Sequence, residues 1–328
     1  MKLDETRPEA DDLVERLVPL ADDGPAIPAD GAARVKAAVR PLWEREVQRR
    51  TRGRRLRWSA TALAAAAAVA FAAIALWRVA APPPPPAGQI EIVRGSVAVG
   101  HRGEPLQAAA PVALVRRGDA IRTGATGRAA IRLANDTVVR LDAGTSVVVR
   151  SPELLVLDAG ALYVDSGTGS TIEIRTPFGV VRDVGTLFEV RLSGDATRVR
   201  VREGSVFVVA AGDATRVDRG RELVVGASGT LRAGTISPDD EAWDWILDVS
   251  PPFAIEGRTV AALLDWVERE TGREVRYADA TTEATAREAV LHGTLEGVRA
   301  DEAPAVVLPS AGLEAVTRDG TLYVRPVQ

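Results

Sequence analysis

Three kinds of hydrophobic pattern follow one another along this chain. The first is continuous: residues 59–77, SATALAAAAAVAFAAIALW, run for 19 positions without a charge. A helix of that length, at about 1.5 Å per residue, covers roughly the 30 Å of a bilayer's hydrocarbon. The second pattern alternates, from residue 89 to about 225. Short runs such as Ile90-Glu91-Ile92-Val93, Ala129-Ala130-Ile131-Arg132-Leu133, Arg198-Val199-Arg200-Val201 and Ser205-Val206-Phe207-Val208 are set apart by Gly, Asp, Asn and Ser. About twelve such runs, roughly ten residues apart with no helical period between them, predict an all-β body. Antiparallel hairpins wrapped as a β-helix-like body or a sandwich are expected. The third pattern begins after residue 250. Val260, Leu263, Leu264 and Val267 share one face of a helix over residues 259–271, which Gly272 ends. Val275-Arg276-Tyr277 reads as a strand and Leu291-His292-Gly293 as the entry to another. Asp301 caps a second helix running to Leu308, with Pro304 in its first turn. A hairpin around Asp319-Gly320 closes the chain. The tail is therefore expected to be a small α/β (βαββαβ-like) domain.

The flanks of the apolar stretch give it an orientation. Six arginines lie between residues 49 and 57 on one side, against Arg78 and then five prolines, 82–86, on the other. Positive charge favours the cytoplasmic side, so residues 1–58 are expected in the cytoplasm and the rest across the membrane. The stretch begins at Ser59, and Trp58 and Trp77 bracket it where interfacial aromatics belong. A buried helix of a soluble domain is the first alternative, since 11 of the 19 residues are Ala. The basic cluster and the proline run argue against it. A cleaved signal peptide would have to start about 58 residues in, with an apolar core longer than the usual ~7–15 residues. An uncleaved single-pass anchor is expected. The chain then divides into a cytoplasmic segment (1–58), a transmembrane helix (59–79) and a proline-rich spacer (80–88). The all-β domain (89–225), a connecting segment (226–249) and the α/β domain (250–328) follow.

Composition narrows the chemistry. The net charge of −4 argues against direct nucleic-acid binding. There is no cysteine, hence no disulfide, thiolate metal site or cysteine nucleophile. Two histidines, His101 and His292, stand far apart without spaced partners, so no metal site is expected. Two lysines against 39 arginines reflect a compositional bias rather than a site. No phosphate loop, dinucleotide fingerprint or nucleophile elbow occurs, and no cofactor or catalytic residue is assigned. Asp142, Asp158, Asp165 and Asp183 are read as surface aspartates in strand-and-turn sequence rather than as a glycosidase pair. Trp243 and Trp245 are read as packing a connecting segment onto a core rather than stacking on a ligand. Near the N-terminus, residues 12–18 and 32–49 are helical candidates, and Leu13, Leu17 and Trp43 are candidate partner contacts. That segment is either a partner-binding element or a solvated tail.

Three stretches carry a resemblance: Arg117-Gly118-Asp119-Ala120-Ile121-Arg122-Thr123-Gly124, then Thr176-Pro177-Phe178-Gly179 running to Gly185-Thr186-Leu187-Phe188, then Val201-Arg202-Glu203-Gly204-Ser205-Val206. In this order they resemble the opening, centre and close of the FecR domain. Gly118, Asp119, Thr123, Gly124, Thr176, Pro177, Gly179, Gly185, Thr186, Phe188, Glu203 and Gly204 are its motif positions, expected to be structural. One departure is Asn135-Asp136-Thr137, where the family commonly has Asp-Gly-Ser; a different turn geometry is expected there. The tail is similar to the short secretin/TonB N-terminal domain through Phe253-Ala254-Ile255-Glu256-Gly257, Thr271-Gly272, Leu291-His292-Gly293 and Gly312-Leu313. The resemblance implies a bacterial inner-membrane signal transducer. Its cytoplasmic part would act on an extracytoplasmic-function sigma factor. Its periplasmic part would contact the signalling domain of an outer-membrane transporter or another envelope protein. The alternative is a membrane-anchored periplasmic scaffold or glycan-binding module without a sigma-factor role.

Overall fold

A computed structural model describes residues 33–34, 36–41, 85–101, 103–167 and 169–327. The apolar stretch with Trp58, Ser59 and Trp77 lies outside these residues, as do Leu13, Leu17 and Trp43. Among the described residues, no helix is long and apolar enough to cross a membrane. The chain divides into two units, Met1–Pro83 and Pro84–Gln328. In the first, residues 33–34 and 36–41 are helical and exposed, with Val39 at 53% exposure.

The second unit opens with β1 (Gly88–Arg94), β2 (Val97–His101), β3 (Gln107–Ala108) and β4 (Leu114–Val115). Next come β5 (Asp119–Thr123), β6 (Arg128–Leu133), β7 (Val138–Leu141), β8 (Ser146–Ser151) and β9 (Leu154–Ala159). β10 (Ala161–Asp165), β11 (Thr171–Thr176), β12 (Gly179–Val184), β13 (Leu187–Ser193) and β14 (Ala196–Glu203) continue the pattern. β15 (Ser205–Ala210), β16 (Asp213–Asp218), β17 (Arg221–Gly226) and β18 (Leu231–Thr235) complete it. They form two nine-stranded sheets. Sheet A runs β4-β1-β6-β7-β10-β13-β14-β17-β18, and sheet B runs β3-β2-β5-β8-β9-β11-β12-β15-β16. After the first few strands, both orders follow the chain. Each short stretch lays one or two strands on one sheet, crosses, and lays the next on the other. All neighbours are antiparallel except β9 and β11, which are separated in sequence by β10 in the opposite sheet.

Period-two alternation places the core between the sheets. In β11, Ile172 and Ile174 are buried while Thr171 and Arg175 are exposed. Leu141, Leu162, Phe188, Val199 and Val201 of sheet A meet Ile121, Leu155, Leu157, Ile174 and Val206 of sheet B in one apolar cluster. The sandwich departs from the sequence expectation in strand number. Six strands lay outside the predicted runs. β3 and β4 are two residues long, β5 lies inside the first motif, β16 and β18 carry few apolar residues, and β17 lies close to the expected end at about residue 225. Sheet A extends to Thr235, ten residues past the expected end. In the Asn135-Asp136-Thr137 turn, Asp136 itself takes φ 64°, the left-handed conformation that glycine adopts most readily.

A 3₁₀ segment, Glu241–Val249, follows, started by Asp240, whose side chain accepts from the Ala242 amide. Then comes the terminal module: α1 (Val260–Thr271), β19 (Glu274–Tyr277), α2 (Ala280–Glu288), α3 (Ala303–Val307), β20 (Leu313–Arg318) and β21 (Thr321–Pro326). The predicted α1 is present, with the Thr259 hydroxyl accepting from the Ala262 amide and Gly272 at φ 71°. The closing hairpin is present too, turning through Asp319 and Gly320 at φ 48° and 75°. The sheet order is β19-β21-β20, with β19 parallel to β21. The expected βαββαβ order does not hold. No strand precedes α1, and Leu291-His292-Gly293 is not a strand; the chain there makes one bridge, Thr259 to Val290. α2 was not anticipated, because ATTEATARE has no apolar stripe and buries only Thr282 and Ala286. Asp279 starts it by accepting from the Thr282 amide at 2.7 Å. The next helix begins at Ala303 after Glu302, without the Asp301 cap.

Candidate functional site

Most of the motif residues mark the places where the chain changes sheets. Thr123, at the end of β5, donates its hydroxyl to the Asp142 carbonyl at 2.5 Å and accepts from the Thr145 amide at 2.8 Å. Thr145 in turn bonds both the amide and the carbonyl of Ala161, at 3.0 and 2.9 Å. Three successive crossings are thus tied by two hydroxyls that satisfy buried backbone groups. Further along, the Thr186 amide donates to Ser166 Oγ at 2.8 Å, and Thr186 Oγ1 donates to the Ser205 carbonyl at 3.0 Å. Gly204, at φ 79°, leaves room for this: a Cβ there would lie 3.1 Å from the Gly185 carbonyl oxygen. Gly127 has less freedom still, since a Cβ would fall 2.0 Å from the Ser96 carbonyl oxygen.

The other motif positions divide between crossings, one hairpin within sheet B and the core. Asp119 accepts from the Arg116 amide at 2.7 Å and meets His101 Nδ1 at 3.0 Å, beside Gly118. Gly124 donates its amide to the Ser96 carbonyl at 2.8 Å. Thr176 Oγ1 donates to the Gly179 carbonyl at 2.9 Å across the hairpin turn that holds exposed Pro177. Gly185 lies in the turn before Thr186, and Phe188 is fully buried in the core. Glu203 is exposed at the end of β14. None of these residues forms an open reactive centre. Among the described residues, no group of three His, Cys, Asp or Glu is placed to hold a metal.

The chemistry that sequence reasoning missed lies on the outer face of sheet A. The 3₁₀ segment and α1 cover that face. Tyr163 of β10 meets Trp243 edge-on with ring centroids 6.0 Å apart, and Trp245, Ile246 and Leu247 fill the same cluster. Both tryptophans are buried, as the packing interpretation expects. Beside them lies an ion pair. Arg140 of β7, 1% exposed, reaches Glu270 of α1 through both terminal nitrogens, at 2.7 and 2.9 Å. Ser250 Oγ lies 2.7 Å from the same carboxylate and 3.0 Å from the guanidinium. Arg202 of β14 donates to the Glu270 carbonyl at 2.8 Å and to the Pro238 carbonyl at 2.8 Å, with its guanidinium over the Trp243 ring. Outside this buried set, Arg269 pairs with Asp165 at 2.5 Å, and Asp248 joins Arg128 and Arg299 at 2.6 and 2.5 Å.

Burial alone would push the Glu270 carboxyl up. The Arg140 charge and its hydrogen bonds outweigh that, with help from Ser250 and Arg202, and hold it below the ordinary carboxylate value. Burial likewise opposes the charge on Arg140, and Glu270 more than offsets it. Burial raises the Tyr163 phenol, with the two neighbouring arginines pulling the other way. Cavities of about 390, 310 and 420 Å³ flank the seam. The third is bordered by Arg132, Asp136, Phe253, Arg258 and Trp266. The seam is a polar joint that fixes one orientation of the module on the sheet: the Ser250 hydroxyl donates to a carboxylate already paired with Arg140. Two signals in the sequence pointed to it. Arg140 interrupts an apolar strand, and Glu270 sits one helical step beyond Leu263 and Val267 on α1's apolar stripe.

Comparison with known proteins follows the same geography. Residues 119–207 match the model of the FecR protein family, from the start of β5 into β15. No curated protein matches the chain. Two crystal structures of a candidate anti-sigma factor from Parabacteroides distasonis align with 64% of this chain and 99% of theirs. Their identities are 16% and 15%, with TM-scores of 0.34 and 0.35, too low to carry an argument about fold or function.

Proposed function

We propose that this chain is a membrane-anchored signal transducer of the FecR type. Residues 59–79 would span the inner membrane, the body from residue 89 would lie in the periplasm, and residues 1–58 would control an extracytoplasmic-function sigma factor. The periplasmic trigger would be contact with another envelope protein, such as the signalling domain of an outer-membrane transporter. The observation that carries the reading is the family match over residues 119–207. The basic flank of the apolar stretch supports the orientation. The polar seam supplies a joint through which an event at the terminal module reaches the sandwich. The test is capture with residues 1–58 as bait in lysate of the source organism. A sigma factor in the bound fraction supports the reading. Its absence with soluble bait, together with sigma-dependent transcription unchanged by deletion of residues 1–48, overturns it in favour of an envelope scaffold.

A further inference from the structure

The outer face of sheet B is unlike that of an ordinary solvated sheet, whose outward positions are polar. Strand pairing aligns one outward residue from each of eight strands into a continuous row: Ala214, Val209, Val180, Arg175, Val156, Val148, Ala120 and Gly100. Val209, Val180, Val156 and Val148 are half-buried only by their lateral neighbours. Phe207, 45% exposed, and Leu154 extend the apolar surface in the next row. Two valine pairs on either side of Arg175, with Phe207 and Leu154 beside them, form an apolar strip rimmed by arginine, the kind of surface that something covers.

Charge selects the occupant. Arg122, Arg150, Arg175, Arg182 and Arg216 point out of this face against Glu173, Asp158 and Asp218. Glu173 takes up Arg175 and Arg182, and Asp218 takes up Arg216. Arg122 and Arg150 have no acidic partner among the described residues. A second copy would bring this surplus of arginine against itself. An anionic surface would complement it, although the whole chain carries −4. The surface must also be close at hand. Ten residues separate Trp77 from Gly88, a reach of no more than about 36 Å.

We infer that the outer face of sheet B docks on an anionic lipid bilayer, with the arginines on head groups and the valine row at the interface. This rests on the membrane anchoring proposed above. The absence of native cysteine allows a clean test. The full chain is reconstituted in nanodiscs of neutral lipid, or of neutral lipid with anionic phosphatidylglycerol. It carries an environment-sensitive fluorophore at Val156→Cys or, as control over sheet A, at Glu241→Cys. Quenching by brominated lipid is expected at position 156 alone, only in anionic discs, and reversed by high salt. Arg122→Gln and Arg150→Gln are each expected to lower the docked-to-free ratio about fivefold, and together about thirtyfold. A probe at position 156 that stays in water in every disc overturns the inference. So does shielding that persists in detergent with a doubled mass, which would indicate a second copy. Equal quenching at position 241 also overturns it. Loss of the whole chain from the discs in an alkaline wash overturns the anchoring itself, a failure distinguishable from the others.

Discussion

The two broad faces of the sandwich carry arginine to opposite ends. On sheet A, Arg140 and Arg202 are buried, 1% and 3% exposed, and each is fixed by acceptors from the covering segments. On sheet B, Arg175, Arg182 and Arg216 are 56 to 61% exposed and pair only with acids on their own face. The same residue type is a structural fastener where water is excluded and a solvated contact where it is not. Coulomb attraction is strong at low dielectric, but there an unpaired charge is also far more costly.

That contrast can be broken most forcefully at the clasp. Glu270→Gln leaves Arg140 buried without its counter-charge and is expected to lower stability by about 3–5 kcal/mol in chemical denaturation. The paired change Arg140→Met with Glu270→Leu should recover most of that loss, because it removes both desolvated charges together. If the double variant is no better than the single, the pair acts through something other than charge.

The corners come next. Thr145→Val removes the hydroxyl that serves both polar groups of Ala161, and about 1–3 kcal/mol should be lost. Equal stability in a melting experiment would mean that water replaces the hydroxyl.

Acidity sharpens the comparison. The Glu270 carboxyl lies below its ordinary value in the fold. Its contribution is therefore full above the unfolded carboxylate pKa and is lost as pH falls through the lowered folded value. Acid should release the terminal module from sheet A before the sandwich core melts, visible as a change in Trp243 and Trp245 fluorescence ahead of the loss of far-ultraviolet β signal. Coincident transitions would count against the clasp as the acid-sensitive joint. On the opposite face, Phe207→Ser should change stability by no more than about 0.5 kcal/mol. Asp136→Gly should be smaller still in cost, or stabilising by a few tenths, since it relieves a positive φ.

Much of this architecture could be read from the residues, and the gaps have physical causes. Period two and the turn residues identify the all-β body, and α1 declares itself through its apolar stripe, Thr259 and Gly272. Strands β16 and β18 escape because edge strands need bury little, whereas β17 is an inner strand that buries Leu223 and Val225. α2 escapes because a threonine-rich helix held by a cap has no hydrophobic period. Of the motif positions, Gly118, Asp119, Thr123, Gly124, Gly185, Thr186, Glu203 and Gly204 lie at sheet crossings, Thr176, Pro177 and Gly179 in a hairpin, and Phe188 in the core. The clasp was harder: Arg140 and Glu270 lie 130 positions apart, and pairing across such a distance depends on how the module folds back onto the sheet.

The near-sequential strand order of both sheets has a consequence for how the body is made. After β5 each new strand finds its neighbours among segments already synthesised, so long-range closure is confined mostly to adjacent rungs. A sandwich that emerges from β1 onward can therefore be built vectorially, one crossing at a time. Stalled chains ending after β10, β14 and β18 should show protease-resistant cores of stepwise increasing length, whereas a single all-or-none appearance after β18 would mean that the rungs assemble only together.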